Sequence, residues 1–410
     1  MRIEGYPGEA MGGAPALILG SGITVLGVTR TLGRAGIPVL VASPSPGAVR
    51  HSRWFRALPR IGGTTLDDGL ETLLRSGAVE TAVLIPCSDH LAVDVARLAP
   101  DLKQRFPSFL SAIDTMVTLT EKVRFYRLLS TLNVPHPFTK LDPTAEEVMG
   151  TLADGSQTYF LKPYDSQSFF RKFGVKGVWL KGGAEKWPQG IPEMIRTGGL
   201  LIQEYVPGPP SNHYFIDGFA DKDGEVLTEL ARRRLRMYPT DFGNSSYMVT
   251  VPLEEVRVAS ADLHRLLGAV GYRGVFSAEF KKDERDGVFR LLEINGRPWW
   301  FVEFAAQCGV DVATMAYQAA LGIRQEAKRG YQVGRRLIHP YYDLQACWSS
   351  GPGKLRGLGD FASSIFGASQ PLFSLSDPLP SVVSTAGFLS DFLVRRLKSL
   401  RPSQRRAHER

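Results

Sequence analysis

The sequence predicts an α/β protein: a parallel-sheet unit first, then a larger α+β region of hairpins and helices. Three observations carry this. The apolar run Ala14–Gly20 passes through Gly20-Ser21-Gly22 into a helical stretch and on to a second apolar run, Ile37–Ala42, which is the pattern of a βαβ unit. Further on, apolar runs return on themselves through turn sequences such as Asp221-Lys222-Asp223-Gly224. Two late runs each carry an acid within apolar surroundings: Phe276-Ser277-Ala278-Glu279-Phe280 and Leu291-Leu292-Glu293-Ile294-Asn295-Gly296-Arg297-Pro298.

The first βαβ turn lacks a dinucleotide fingerprint. Val25 stands where a third small residue is needed, and Ser43-Pro44-Ser45 offers no acid to a ribose, so a tight strand-to-helix turn is expected. Ala82–Pro86 reads as the next strand. Asp89 follows at its carboxyl end, either facing a substrate or, the reading the sequence favours, capping the helix Leu91–Leu98. Met116–Leu132 reads as one long amphipathic helix ended by Pro135 and Pro137. Lys122 lies in its first turn, where a cation is electrostatically unhelpful, and this favours a functional role.

Thr158–Pro163 is a strand carrying Lys162. The stretch from Asp165 to Gly177, with Ser166, Ser168, Arg171, Lys172, Gly174, Lys176 and Gly177, reads as a loop. Such a loop either closes over phosphates through backbone N–H groups and cations or is simply solvated. Leu200–Val206, Tyr214–Ala220 and Val226–Leu230 are strands. Arg232-Arg233-Arg234-Leu235-Arg236 is a basic strand, either a solvated edge or a neutraliser of a triphosphate. Ser260–Val270 and Val302–Ala320 read as helices. In an extended chain Glu293, Asn295 and Arg297 point the same way, and the strand–turn–strand spacing places Glu279 beside Glu293. Two carboxylates and an amide oxygen suit a hard cation such as magnesium, and Arg297 suits a phosphate.

Composition limits the rest. Of 410 residues, 43% are hydrophobic and 22% charged, ordinary for a globular protein of two or three domains. Cys87, Cys308 and Cys347 have no metal-ligand spacing, which argues against a disulfide framework or zinc site and for a reducing compartment. A cytoplasmic location is expected: the start carries no secretory pattern, and no run is apolar enough to span a membrane. From Phe392 to Arg410 seven basic residues face one acid, so that tail holds +6 of the net +8, and the near-neutral body gives no reason to expect nucleic-acid binding. Phe388, Leu389, Phe392, Leu393, Leu397 and Leu400 form a helical apolar stripe beside the tail's arginines. It is expected to pack on its own protein, with contact to an anionic membrane as the alternative.

The order of these features resembles the ATP-grasp superfamily, in the branch of the D-aspartate-ligase-like and carbamoyl-phosphate-synthase-like carboxylate–amine ligases. Phe-x-Ala-Glu-Phe and Glu-Ile-Asn-Gly-Arg-Pro carry the specific part. The resemblance implies an ATP-grasp fold over residues 116–325 with a mobile lid near 150–205. A Rossmann-like domain (1–115) would precede it, and a helical extension with the basic tail (326–410) would follow. It implies ATP and magnesium (or manganese) as cofactors, with Glu279, Glu293 and Asn295 holding the metal. Lys122 and Lys162 would hold phosphates, under a loop including Ser168, Lys176 and Gly177. Gln203, Glu204, Tyr205 and Val206 would line the adenine, and Asn212 or Ser211 would replace the usual ribose acid. Arg233 and Arg236 would meet the γ-phosphate or a substrate carboxylate, and Arg297 would steady the transferring phosphate. Trp299 and Trp300 would shape the acceptor pocket. The implied reaction joins a carboxylate to an amine, an amino acid or peptide by default, through an acyl phosphate. Bicarbonate activation and ATP-binding regulation without turnover are the rivals, and a homodimer is common in the family.

Overall fold

The computed structural model describes residues 13–152, 157–164, 166–175, 177–180, 190–239, 243–349 and 354–400. Three sheets organise them. The first is parallel, ordered β2-β1-β3, from β1 (Ala16–Leu19), β2 (Val39–Ala42) and β3 (Val83–Pro86). All four residues of β1 are fully buried, as expected for a central strand covered on both faces. The connecting helix is Gly22–Arg34, and Val25 is sealed in the core.

The second sheet is antiparallel with four strands, ordered β4-β7-β5-β6: β4 (Thr139–Leu141), β5 (Tyr159–Pro163), β6 (Val178–Leu180) and β7 (Leu200–Glu204). The third has six strands, ordered β12-β11-β8-β9-β10-β13. Its members are β8 (His213–Ala220), β9 (Val226–Tyr238), β10 (Asn244–Val251), β11 (Gly274–Lys282), β12 (Phe289–Asn295) and β13 (Arg336–Ile338). The β8–β9 turn is locked by Asp221, whose Oδ1 accepts the N–H groups of Asp223 and Glu225, each at 2.9 Å.

Four sequence expectations need correction. The basic strand is not an edge, because β9 runs between β8 and β10. The single helix at 116–132 is two helices, Ile113–Thr120 and Lys122–Thr131, broken where Glu121 takes an extended conformation (ψ 116°). Lys122 therefore opens a helix of its own. The helix at 302–320 is likewise two, Val302–Gln307 and Val312–Ala320. Gly309, at φ 109°, turns the chain between them, and the Asp311 carboxylate caps the second through the Thr314 N–H at 3.0 Å. Within the expected loop from 165 to 177, Ser166–Phe173 is a helix whose Phe169 is buried and packs on Phe173, 4.7 Å between ring centroids. Its many polar residues hide an i, i+4 aromatic pair. Lys176 lies outside the described residues, as does the tail beyond Leu400.

Inside the six-stranded sheet, Asp217 and Arg232 form a dry ion pair at 2.5 Å, with side-chain exposures of 0% and 4%. Asp217→Ala leaves a buried guanidinium without its carboxylate. The expected cost is about 3–5 kcal/mol, read as a fall in the denaturant unfolding midpoint.

Candidate active site

A cleft of about 580 Å³ opens between the four-stranded and six-stranded sheets, with Asp89 of the N-terminal domain among its lining residues. Its floor is built by register. Glu279 of β11 pairs directly with Glu293 of β12, so the two carboxylates emerge side by side on one face. Gly296 just beyond sits in a tight space, where a Cβ would come within 3.1 Å of the Met116 Cε and 3.2 Å of the Tyr272 hydroxyl, so a larger residue would push these neighbours aside.

The two acids have unlike surroundings. Glu279 Oε1 accepts from Arg234 Nη2 at 3.1 Å and from His213 Nδ1 at 2.8 Å. Burial raises its carboxyl, but the Arg234 charge and the His213 hydrogen bond outweigh that and hold it well below the usual range. Burial pushes His213 down to about 4, so the ring is neutral and gives Nδ1–H to the carboxylate. Glu293 faces the water of the cleft yet lies deep in the fold. Its carboxyl is raised by desolvation and then by the neighbouring Glu279 anion. Asn295 joins them: its Nδ2 donates to Glu293 Oε1 at 3.3 Å and its Oδ1 accepts from Arg297 Nη2 at 2.8 Å.

These three oxygen donors suit magnesium or manganese, and a divalent cation would relieve the repulsion that raises Glu293. Among the described residues no group of three His, Cys, Asp or Glu side chains forms a metal site by itself. Phosphate oxygens and water would therefore have to complete the shell.

Across the cleft lie the lysines. Lys162 Nζ donates to Gln203 Oε1 at 2.8 Å, and Gln203 Nε2 donates to Thr139 Oγ1 at 2.9 Å. Burial, and next the Lys122 charge, push Lys162 down to about 8. Lys122 Nζ donates to the Pro163 carbonyl at 2.7 Å, bringing the start of its helix to the end of β5. Gln203, Glu204, Tyr205 and Val206 all line the cleft. Glu204 is buried, pairs with Arg285 and accepts the Phe138 N–H at 3.3 Å. Tyr205 packs under Lys281, whose Nζ is 4.1 Å from the ring centroid.

The arginines divide by strand alternation. Phe215 pairs with both Glu279 and Arg232, so Arg232 and Arg234 share the face of Glu279. Arg233 points the other way, donating to the Ser211 carbonyl at 2.6 Å and lying 3.4 Å from Glu255. Arg236 is held by both Asp343 oxygens, at 2.9 and 2.7 Å. Of the four, only Arg234 lines the cleft. The sequence singled out Arg233 and Arg236; the register selects Arg234.

Arg297 is not a free phosphate clamp. Its Nε and Nη2 each donate to the Asp89 carboxylate at 2.9 Å. Asp89 is the first residue of the helix Asp89–Arg97, so it faces the cleft rather than capping. Asn212 donates to the Lys282 carbonyl at 3.0 Å and does not line the cleft. Gly177 lies against β5, where a Cβ would come within 3.1 Å of the Leu161 carbonyl. The side chain of Ser168 and all of Lys176 fall outside the described residues. Trp299 is 5% exposed in the main core, and Trp300 stacks on Tyr342 at 6.1 Å; neither lines the cleft. Sequence reasoning missed Arg234, His213 and Lys281. Alternation along β11 from Glu279 finds Lys281, and the register of β8 and β9 against β11 is needed to find His213 and Arg234.

No family model matches the chain. D-aspartate ligase from Enterococcus faecium is 25% identical over 305 residues, 70% of this chain and 72% of that one. The crystal structure of L-amino acid ligase from Bacillus licheniformis superposes with a TM-score of 0.56 at 14% identity, over 79% of each chain. The ADP complex of purK, an N5-carboxyaminoimidazole ribonucleotide synthetase, superposes with a TM-score of 0.60 at 11% identity, over 93% of this chain and 97% of that one. The chain has the ATP-grasp fold and is similar in sequence to an ATP-dependent ligase of that superfamily. ATP and magnesium are general features of ATP-grasp proteins, and the carboxylate pair and lysines here have the chemistry to take them.

Lys162 gives a pH signature. A nucleotide phosphate held by Lys162 would favour its charged form, so nucleotide affinity would be full below the free-state value of about 8 and would fall as pH rises through it. The fall is at most about tenfold per pH unit. Calorimetric titration with an unreactive ATP analogue across this range checks it, and Lys162→Arg should flatten the profile.

Proposed function

We propose that this ATP-grasp enzyme joins a small carboxylic acid to an amine, with an amino acid or short peptide among its substrates, releasing ADP and phosphate. The observation that carries the reading is the register pairing of Glu279 with Glu293, facing Lys122 and Lys162 across one cleft. That arrangement has anionic oxygens on one wall and ammonium groups on the other, as a metal–triphosphate needs. The likeness to D-aspartate ligase supports the amide-forming branch and the amino-acid class.

A carboxylate is a poor acyl donor because its leaving group would be oxide, and phosphorylation supplies a better one. Bound magnesium would neutralise phosphate charge and align the transferring group. In this chain Glu279, Glu293 and Asn295 would hold it. Lys162 and Lys122 would bind phosphate oxygens, and Arg234 would stabilise charge on the substrate carboxylate or the group in flight. Arg297, fixed by Asp89, would orient Asn295. The four-stranded sheet with the helix Ser166–Phe173 would cover the cleft and keep water from the acyl phosphate. An amine attacking that carbonyl forms the C–N bond and expels phosphate. Trp299 and Trp300 have no part in this scheme.

ADP release measured over paired acids and amines, with products weighed by mass spectrometry, tests the reaction. Amide product with equal ADP is expected; ADP release that needs bicarbonate and no amine would overturn it. Glu293→Gln and Arg234→Ala should each lower kcat by about 10² to 10³, the cost of removing a key electrostatic group. Arg233→Ala should turn over like the parent enzyme. An Arg233→Ala loss matching that of Arg234→Ala would reverse the assignment of the inward-facing arginine.

A further inference from the structure

The last described helix, Leu379–Leu400, is turned inside out. In its first three turns the residues facing the protein are Pro380, Ser381, Ser384 and Phe388, buried or half-buried. Phe388 stacks on Tyr341 with centroids 4.4 Å apart. The opposite face carries Leu379, Val382 and Val383, exposed at 58%, 61% and 37%, and Leu375 just before it is 88% exposed. Two serines thus point inward while the aliphatic side chains meet water. Ala386, also exposed, continues this outward face.

This face has a basic border. The helix packs along the single turn Gly47–His51 of the N-terminal domain. From there to residue 60 the chain carries Arg50, Arg53, Arg56 and Arg60, all exposed, and no acid. Arg53 is moored to the start of the helix, its N–H donating to Asp377 Oδ1 at 2.9 Å. At the far end the sequence adds Arg395, Arg396 and Lys398, with Asp391 the helix's one acid.

We propose that this face docks on an anionic phospholipid surface, with the aliphatic stripe entering the headgroup–acyl boundary and the arginines meeting lipid phosphates. Charge selects this occupant. A second copy paired face to face across a two-fold axis would set arginine borders against each other, whereas an anionic bilayer complements both the charge and the apolar strip. The ATP-grasp cleft lies elsewhere on the chain, so docking leaves it open to small substrates.

Co-sedimentation of the full chain with vesicles tests this. Vesicles of mixed phosphatidylcholine and phosphatidylglycerol should retain the protein, and pure phosphatidylcholine should not. High salt should weaken retention. Leu379→Ser with Val382→Ser, on exposed positions that leave folding intact, and separately Arg50→Glu with Arg53→Glu, should each weaken retention roughly tenfold or more. Light scattering should show no change in mass for either variant. Equal partitioning to neutral vesicles, no retention on anionic ones, or a dimer that the serine variant dissociates would each overturn the proposal.

Discussion

Two carboxylates placed side by side inside a fold repel each other, and most of the cleft is arranged around that fact. Glu279 and Glu293 are forced together by the β11–β12 register. Arg234 and His213 hold the first as an anion, while the second is left with a raised carboxyl and an amide neighbour. An asymmetric pair of this kind is poised for a divalent cation. One member is already charged, and the other gains most from the cation's arrival.

The same pair explains how distant segments cooperate. Asn295 is oriented by Arg297, and Arg297 is held by Asp89 from the helix that follows β3. The end of β12 therefore takes its geometry partly from the N-terminal domain. That domain retains a parallel α/β architecture without a dinucleotide fingerprint, and here it braces the cleft instead. On the opposite wall, Gln203 links Lys162 to Thr139, so three strands of the four-stranded sheet set one ammonium group. Glu204 and Arg285 then tie that sheet to the β11–β12 turn.

The C-terminal part is as integral as the rest. Arg30, fully buried in the first helix, donates to Asp377 Oδ2 at 2.9 Å and to the carbonyls of Leu372 and Asp377 at 2.9 and 2.8 Å. Asp343, also fully buried, takes up Arg236 and Ser246 from the six-stranded sheet. These dry clasps bind the last helices to both earlier regions. They also fix the face of the last helix that looks outward.

The sequence by itself determined the order of the elements, the parallel unit at the start, and the pairing of Glu279 with the Glu293–Asn295 strand. Each follows from local patterns: apolar period, turn chemistry and two-residue alternation. It also carried Lys122, because a cation at a helix start is locally out of place, whereas Lys162 came only with the family resemblance. The two long helices, read through Glu121 and Gly309, were beyond it, since a single residue's backbone angle breaks them without disturbing the pattern. The inward arginine was beyond it too: four arginines within five residues look alike until β9 is registered against β8 and β11. Asp89 and Arg297 are 208 positions apart, and no local rule connects them. Trp299 and Trp300 follow β12 in the chain but leave the cleft because the turn carries them into the core. What the tertiary structure alone decided was which charges meet, because that depends on register and domain packing rather than on neighbours in the chain.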